Sequence, residues 1–287
     1  MKVISVDDVD YEVFVDFESI MVLGAVDRGK STFIKNLTNF FVKKGFLVNV
    51  VDLDVGQSDI GHPGLVAYGF VDREISLLSD IVPKYFHFYG YVSPQVDPFG
   101  YIFSLRKLVK RLKGEKRTDK TLIDTTGWIS GYIAFSLKLL KIELFRPELV
   151  VLIGEEVFNW YHYVRKLVKE VFLFYPSRYV VNKDRERREK NRLAITLRYF
   201  HEKPMVRLKK DLLLTLGRYQ DLSEGRIIGF FDHNFETLAT GWIIRDLGEE
   251  VILNIYRQFS GKVSFVKVGD KIGQTTQTVS QDTNNLT

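Results

Sequence analysis

The order of apolar and polar segments along the chain predicts strands and helices in alternation. Short apolar runs that lead into glycine or an acidic residue are typical of buried strands, and apolar residues three and four apart are typical of helices. This pattern predicts strands over residues 20–23, 47–53, 85–89, 121–123, 149–153 and 171–174. It predicts helices over residues 32–44, 98–113, 131–144 and 155–170. Such alternation favours a mostly parallel sheet with helices on both faces.

The two ends of the chain depart from this alternation. Residues 1–18 combine a turn-like acidic stretch with apolar alternation at 13–17, which predicts a short amino-terminal hairpin. Beyond residue 200, short apolar runs separated by glycine-containing turns predict a small carboxyl-terminal β domain, with strands over residues 226–232, 238–246, 250–256 and 263–268. Residues 273–287 are polar and have few groups to bury, so we expect a disordered tail.

Composition narrows the class of protein. The 287 residues are 45% hydrophobic, enough for one sizeable core and a smaller second one. The absence of cysteine excludes disulfides and thiolate metal sites. There is no signal-peptide pattern, and no apolar run approaches the ~20 residues that a membrane-spanning helix needs. We therefore expect a cytoplasmic protein with no membrane partner.

The distribution of charge says more than the net charge of +5. Basic residues concentrate in two segments, 106–120 and 183–192, and a positive field of this kind suits a polyanionic partner. For the first segment two interpretations stay open: a solvated helix face, or a track for a nucleic-acid backbone. A steep loss of affinity with rising salt would favour the track.

A phosphate-binding motif follows the first core strand. Residues 24–31 satisfy G-x-x-x-x-G-K-[ST] and stand between a predicted strand and a predicted helix, as the motif requires. Backbone N–H groups of such a loop surround phosphate oxygens, Lys30 reaches the β- and γ-phosphates, and the Ser31 hydroxyl is placed to bind Mg²⁺. The predicted nucleotide-binding residues are Gly24, Ala25, Val26, Asp27, Arg28, Gly29, Lys30, Ser31 and Thr32.

Acidic residues end two of the predicted strands. Asp52 and Asp54 lie on the same side of one strand because side chains alternate, so one of them is expected to face the triphosphate. Asp124 ends a second strand at the same edge of the sheet, where it is placed to assist Mg²⁺. Trp128, four residues further on, is either a core plug or a platform on which a base stacks.

Five motifs in order resemble the polynucleotide 5′-hydroxyl kinase family, which includes the pre-mRNA cleavage-factor RNA kinase and the pre-ribosomal RNA kinase. They are the loop at 24–31, D-L-D-V-G-Q at 52–57, G-H-P-G at 61–64, T-T-G-W at 125–128, and Arg188-x-x-x-Arg192 followed by Tyr199-Phe200. Two residues depart from the family pattern. His62 replaces a small residue or proline, and Asp124 stands where relatives often have asparagine, and both departures bear on the metal geometry.

The resemblance implies a kinase that uses Mg²⁺ and ATP, with GTP as the alternative nucleotide, and that phosphorylates the 5′-OH end of RNA or DNA. Asp54 resembles the general base for the attacking hydroxyl, and Arg188 and Arg192 resemble the arginines of a lid helix. From spacing alone these two arginines also fit a solvated charged helix. The implied catalytic residues are Lys30, Asp54, Arg188 and Arg192; the implied metal ligands are Ser31, Asp54 and Asp124. The implied substrate-binding residues are Asp52, Gln57, Ser93, Gln95, Thr126, Gly127 and Trp128.

The resulting expectation is an α/β P-loop NTPase with a mostly parallel sheet flanked by helices and a small carboxyl-terminal β domain. The expected division is a hairpin (1–18), a P-loop kinase domain (19–203) with its lid helix (183–200), a β domain (204–272) and a tail (273–287). Two other functions stay open. One is a scaffold locked by a bound nucleotide, and the other is an ATPase or GTPase of the metal-insertion or septum-positioning type.

Overall fold

The computed structural model describes residues 3–115, 118–212 and 221–273. Residues 274–287 of the predicted tail lie outside the described residues, as do Lys116 and Arg117 of the basic segment. The first eight strands are β1 (Ile4–Ser5), β2 (Ser19–Gly24), β3 (Val48–Leu53), β4 (Leu65–Val71), β5 (Tyr85–Phe88), β6 (Lys120–Thr125), β7 (Leu149–Ile153) and β8 (Glu170–Tyr175). The remaining strands are β9 (Met205–Lys209), β10 (Arg226–Phe231), β11 (Thr237–Asp246), β12 (Glu250–Arg257) and β13 (Phe265–Lys271). The α-helices are α1 (Lys30–Lys43), α2 (Pro98–Lys113), α3 (Tyr132–Phe145), α4 (Tyr161–Val164) and α5 (Arg185–Phe200).

The strands form two sheets. The first has eight strands in the order β1-β8-β7-β2-β6-β3-β4-β5, and all its pairings are parallel except those of β4 with β3 and β5. The second is antiparallel, in the order β13-β10-β11-β12-β9. The predicted fold class, a mostly parallel P-loop sheet with a carboxyl-terminal β domain, is therefore confirmed.

Helices bury apolar residues on both faces of the first sheet. The buried side of α1 carries Phe33, Ile34, Leu37 and Phe41 at helical spacing, which explains why this stretch folds as an amphipathic helix. Helices α2 and α3 cover the opposite face, where Leu105 and Leu137 join the second core cluster. Because α1, α2 and α3 follow β2, β5 and β6, which run in the same direction, their amino termini gather at the carboxyl edge of these strands.

Two buried histidines join the sheets. His62 Nε2 lies 2.7 Å from Thr240 Oγ1, and its Nδ1 lies 2.6 Å from the Pro63 carbonyl oxygen. His87 Nδ1 lies 3.2 Å from Thr237 Oγ1. Both threonines belong to β11 of the second sheet. The departure at His62 therefore serves the junction between the sheets, and His62 does not take part in the metal geometry.

Two sequence predictions about secondary structure are wrong. Residues 4–14 form a two-residue strand and two 3-10 turns where a hairpin was predicted, because the Ser5 and Asp10 side chains cap those turns by accepting from the Asp7 and Glu12 N–H groups. The helix predicted over 155–170 is a 3-10 helix, Glu155–Trp160, followed by the single α-helical turn of α4. Its apolar positions Val157, Trp160 and Val164 do have helical spacing and are buried, but residues 165–169 form turns and bends before β8 begins.

Candidate active site

The phosphate loop connects β2 to α1 in the expected geometry. Strand β2 ends at Gly24, and α1 begins at Lys30 directly after Gly29, whose φ of 81° is a left-handed conformation that favours glycine. The Lys30 ammonium is buried and donates to the Ala25 carbonyl at 2.8 Å, which holds it across the loop. The loop therefore presents backbone N–H groups, a helix amino terminus and a fixed cation to one point.

Ser31 and Asp124 form the second part of the site. The Ser31 hydroxyl donates to Asp124 Oδ2 at 2.5 Å. Burial raises the pKa of Asp124, and the Lys30 charge and the Ser31 hydrogen bond oppose that rise. This hydrogen bond joins the end of β6 to the start of α1.

Asp54 follows β3 and lines the cavity that the phosphate loop also lines. Its Oδ1 accepts from the Gly56 N–H at 3.0 Å and from the Gln57 N–H at 3.2 Å, so the turn fixes the carboxylate. Among the described residues no group donates to its Oδ2. One oxygen is held by the backbone and the other is left to face a ligand.

Asp52 does not have the substrate-binding position that was predicted for it. It is 3% exposed and does not line the cavity. Its Oδ2 accepts from the Ser58 hydroxyl and from the N–H groups of Asp59 and Ile60, and its Oδ1 accepts from the Asp54 N–H at 2.8 Å. Burial raises its pKa well above the ordinary value. Asp52 is a structural carboxylate that shapes the turn carrying Asp54.

Asp59 is a cavity residue that the sequence analysis missed. Burial and the charges of Asp124 and Asp54 raise its pKa to about 7, while a hydrogen bond from Ser31 lowers it. Its place in the turn after D-L-D-V-G-Q was the one available signal. The site therefore contains three neighbouring carboxylates, those of Asp54, Asp59 and Asp124.

The predicted lid is helix α5, and its first turn contacts the phosphate loop. Arg188 Nη2 lies 2.6 Å from Asp27 Oδ2, and the Lys183 N–H donates to the same oxygen at 2.9 Å. Burial acts to raise the pKa of Asp27, but these partners hold it below its ordinary value. Gln57 links the lid to the β3 turn, with its Nε2 3.4 Å from the Arg188 carbonyl oxygen. Arg192 faces the same cavity, and burial lowers its pKa.

The predicted substrate loops form another wall of the cavity. Trp128 lines it while packing against the second core cluster. Gly127 lies so close to the loop that a Cβ there would be 2.5 Å from the Val26 N, which explains the glycine. Ser93 and Gln95 line the cavity too, in a loop held by the Val92 N–H donating to Asp270 at 2.8 Å.

Most of the predicted site residues thus share one cavity of about 1390 Å³. Three of them do not line it: Gly24 lies against the Ile153 carbonyl, Asp52 is buried below the turn, and Asp124 lies behind Ser31. The cavity also contains residues that were not predicted, among them Lys35, Asp59, Lys183, Arg198, Tyr199 and Lys203.

The basic segment at 106–120 makes contacts within the protein. Lys107 donates to the Asn234 carbonyl, the Arg111 guanidinium lies 4.7 Å from the centre of the Phe259 ring, and Lys120 donates to the carbonyls of Val15 and Phe17. For these three residues the contacts support a structural role in place of a nucleic-acid track.

The residues around Ser31 suit a hard divalent cation. A hydroxyl oxygen and carboxylate oxygens lie together beside the phosphate loop, and oxygen is the donor that Mg²⁺ prefers. In the described part of the chain no three histidine, aspartate or glutamate side chains form a metal-binding group by themselves. This agrees with Mg²⁺ sites that take part of their coordination from substrate phosphates and water.

Fold and site together define a P-loop nucleotide-binding protein. The family model for the mRNA cleavage and polyadenylation factor CLP1 P-loop matches residues 24–202. The chain belongs to this CLP1 P-loop family.

The chain is similar to two archaeal proteins named polyribonucleotide 5′-hydroxyl-kinase. It is 31% identical over 235 residues to that of Pyrococcus horikoshii, covering 80% of this chain and 63% of the relative, and 39% identical over 132 residues to that of Pyrococcus furiosus, covering 46% and 36%. Its fold matches a chain in the structure of the wild-type Clp1p–Pcf11p complex with a TM-score of 0.71 and 14% identity, covering 90% of this chain and 76% of that one. The chain spans less than two thirds of the length of these two curated relatives.

Helices able to cross a bilayer are not found among residues 3–115, 118–212 and 221–273.

Proposed function

We propose that this protein is a polynucleotide 5′-hydroxyl kinase that transfers the γ-phosphoryl group of ATP to the 5′-OH end of a nucleic acid. The observation that carries the proposal is the meeting of Lys30, Asp54 and Arg188 in one cavity that is also lined by Trp128. The names of the two archaeal relatives favour RNA as the acceptor. We also propose a cytoplasmic location.

Each charged group has a distinct task in this reaction. The acceptor hydroxyl attacks the γ-phosphorus while the bond to the bridging oxygen of ADP breaks, and Asp54 takes the hydroxyl proton on the oxygen that the turn leaves free. Lys30 and the lid arginines Arg188 and Arg192 stabilise the charge on the transferring group. Mg²⁺ would be held by Ser31, with Asp124 and Asp59 behind it, and supplies charge neutralisation at the β- and γ-phosphates.

The shape of the cavity supports a polymeric acceptor. One face of the lid helix lines the cavity well beyond the phosphate loop, through Arg188, Arg192, Ile195 and Tyr199 at spacings of three and four. The loop over residues 77–83 also lines the cavity, and Arg198 of the lid helix donates to Ser79 Oγ at 2.8 Å and to Asp80 Oδ1 at 2.9 Å. The Tyr199 hydroxyl is buried and has no hydrogen-bond partner among the described residues. A chain of nucleotides would offer this wall phosphate, ribose and base groups.

End-labelling tests the proposal. The protein is incubated with Mg²⁺, γ-labelled ATP and matched RNA and DNA oligonucleotides that end in 5′-OH, and control oligonucleotides carry a 5′-phosphate. We expect label only on the 5′-OH oligonucleotides, with RNA favoured. Nucleotide binding with no label on any oligonucleotide would indicate a nucleotide-locked scaffold. ATP or GTP hydrolysis unaffected by oligonucleotide would indicate an ATPase or GTPase of the metal-insertion or septum-positioning type.

A further inference from the structure

Two lysines lie fully buried behind the acidic cluster. Lys138 and Lys141 project from the same side of α3, and each is 1% exposed. A lysine is almost never buried so completely unless its ammonium group has partners that repay the loss of water. The burial of two such groups side by side therefore calls for a local explanation.

The partners of both lysines lie at the end of β6. Lys138 Nζ donates to the Thr126 carbonyl, to Thr125 Oγ1 at 3.3 Å and to Thr126 Oγ1 at 3.4 Å. Lys141 Nζ donates to Thr126 Oγ1 at 3.2 Å. In the sequence Thr126 lies between Asp124 and Trp128. Asp124 lies behind Ser31, and Trp128 lines the cavity wall. The lysine pair thus holds the backbone that carries both residues.

The same network reaches the two neighbouring strands. Lys141 Nζ lies 4.9 Å from the centre of the Tyr101 ring, and the Tyr101 hydroxyl donates to the Leu53 carbonyl at 2.7 Å, one residue before Asp54. The Thr125 hydroxyl donates to the Val22 carbonyl at 2.8 Å, two residues before the phosphate loop. Strands β2, β3 and β6 are therefore linked where the site begins.

Charges from every neighbouring element act on this pair. Asp52 and Asp54 lie at the end of β3 and Asp124 at the end of β6, while Lys30 of α1 acts in the opposite sense. Burial, opposed by these acids, lowers the pKa of Lys141 to about 7 and that of Lys138 well below its ordinary value.

We propose that Lys138 and Lys141 are positioning residues for phosphoryl transfer: they fix the ends of β3 and β6 so that Asp54, Asp124 and Trp128 keep their relative places. This inference rests on the proposed kinase function. Neither lysine lines the cavity, so both act through the backbone and through Thr126. Because transfer needs reacting atoms aligned within about 1 Å, loss of this support lowers kcat more than it weakens nucleotide binding.

The test compares Lys138→Met and Lys141→Met with a matched control, Lys120→Met. Lys120 is also a buried lysine of the β6 region, 5% exposed, but it lies at the opposite end of the strand and donates to the carbonyls of Val15 and Phe17. We expect kcat with a 5′-OH oligonucleotide to fall at least about ten-fold in the first two variants, and KM for ATP to change less than about two-fold. The control should lose thermal stability and keep kcat.

A second variant covers the case in which a methionine variant does not fold. Thr126→Val removes the hydroxyl shared by both lysines and keeps the lysines themselves, and it should lower kcat in the same direction. If the folded lysine variants and Thr126→Val all keep the kcat of Lys120→Met, the inference is overturned. If the wild-type protein labels no 5′-OH oligonucleotide at all, the kinase proposal fails and this inference fails with it, so the two failures are told apart by the wild-type lane.

Discussion

Arg188 of the lid helix and Asp27 of the phosphate loop form a close ion pair, with Nη2 and Oδ2 2.6 Å apart. In the proposed transfer the same guanidinium binds the γ-phosphate, so Asp27 and the nucleotide would compete for it. The pair provides a physical link between occupancy of the loop and the position of the lid.

Replacing Asp27 with Asn should loosen the first turn of the lid, because the neutral amide no longer holds the Arg188 cation. Limited trypsin digestion reports this, since the basic residues over 183–192 offer many cleavage sites. We expect cleavage there to become several-fold faster. Glu186→Gln is the control, because Glu186 pairs with exposed Lys190 on the same helix. Equal cleavage rates in the two variants would contradict the link.

Lys30→Ala and Asp54→Asn should each lower transfer by at least about 100-fold while leaving the fold intact, since a base and a phosphate-binding cation are lost. Steady-state labelling rates together with thermal unfolding measure both effects. Substantial labelling by either purified variant would remove that residue from the mechanism.

Asp52→Asn is the structural counterpart of Asp54→Asn. Its amide would turn an N–H group toward donors that now point at a carboxylate oxygen, so we expect a loss of stability of about 1–3 kcal/mol. Denaturant unfolding of the two variants measures the difference. Unfolding of the Asp52 variant at the wild-type midpoint would contradict the structural role.

The parallel sheet, the phosphate loop and the lid were predictable because their signals are local. An apolar run that leads into G-x-x-x-x-G-K-S predicts both the strand before the loop, β2, and the helix after it, α1. All four predicted carboxyl-terminal strands occur within a few residues of their predicted bounds. Strand β4 was missed because Gly69 interrupts its apolar run, and glycine is depleted in strands. Asp52 and Asp54 have equivalent positions in the strand pattern. Only the turn after β3, which donates to Asp52, decides which of them faces the cavity.

The lysines at 138 and 141 could not be assigned from sequence for a related reason. In a helix of apolar residues they resemble ordinary surface lysines, and only the tertiary structure places Thr126 within their reach. His62 was likewise recognisable as a departure from the family motif. Its structural role was not predictable, because its partner Thr240 is distant in sequence.

Acid should destabilise the junction between the sheets. Burial lowers the pKa of His62 to about 3, below its ordinary value of 6.5, so the folded protein binds fewer protons than the unfolded chain between these values. The contribution of the neutral ring is therefore complete above pH 6.5 and is lost as pH falls toward 3. One such proton gives a slope of about 1.4 kcal/mol per pH unit in the free energy of unfolding.

His62→Gln should remove that slope, because glutamine does not titrate. Urea unfolding at several pH values between 4.5 and 7.5 measures it, and His201→Gln, at an exposed histidine, is the control. His87, whose pKa burial also lowers to about 3, should keep part of the acid sensitivity in the variant. The same pH slope in His62→Gln as in the wild-type protein would contradict the assignment.

Trp128→Ala should raise KM for the oligonucleotide by about ten-fold, because stacking of a base on an aromatic ring contributes about 1–3 kcal/mol. KM for ATP should stay the same. Trp128→Phe keeps an aromatic surface and should recover most of the affinity. If alanine and phenylalanine variants have the wild-type KM, Trp128 serves the core beneath α3 alone.

A crystal structure with a non-hydrolysable ATP analogue, Mg²⁺ and a short 5′-OH oligonucleotide would show whether the acceptor end reaches Asp54. We expect the terminal 5′ oxygen to lie within about 3.2 Å of an Asp54 carboxylate oxygen and in line with the γ-phosphate. An oligonucleotide end bound away from Asp54, or an Asp54 side chain turned out of the cavity, would contradict it.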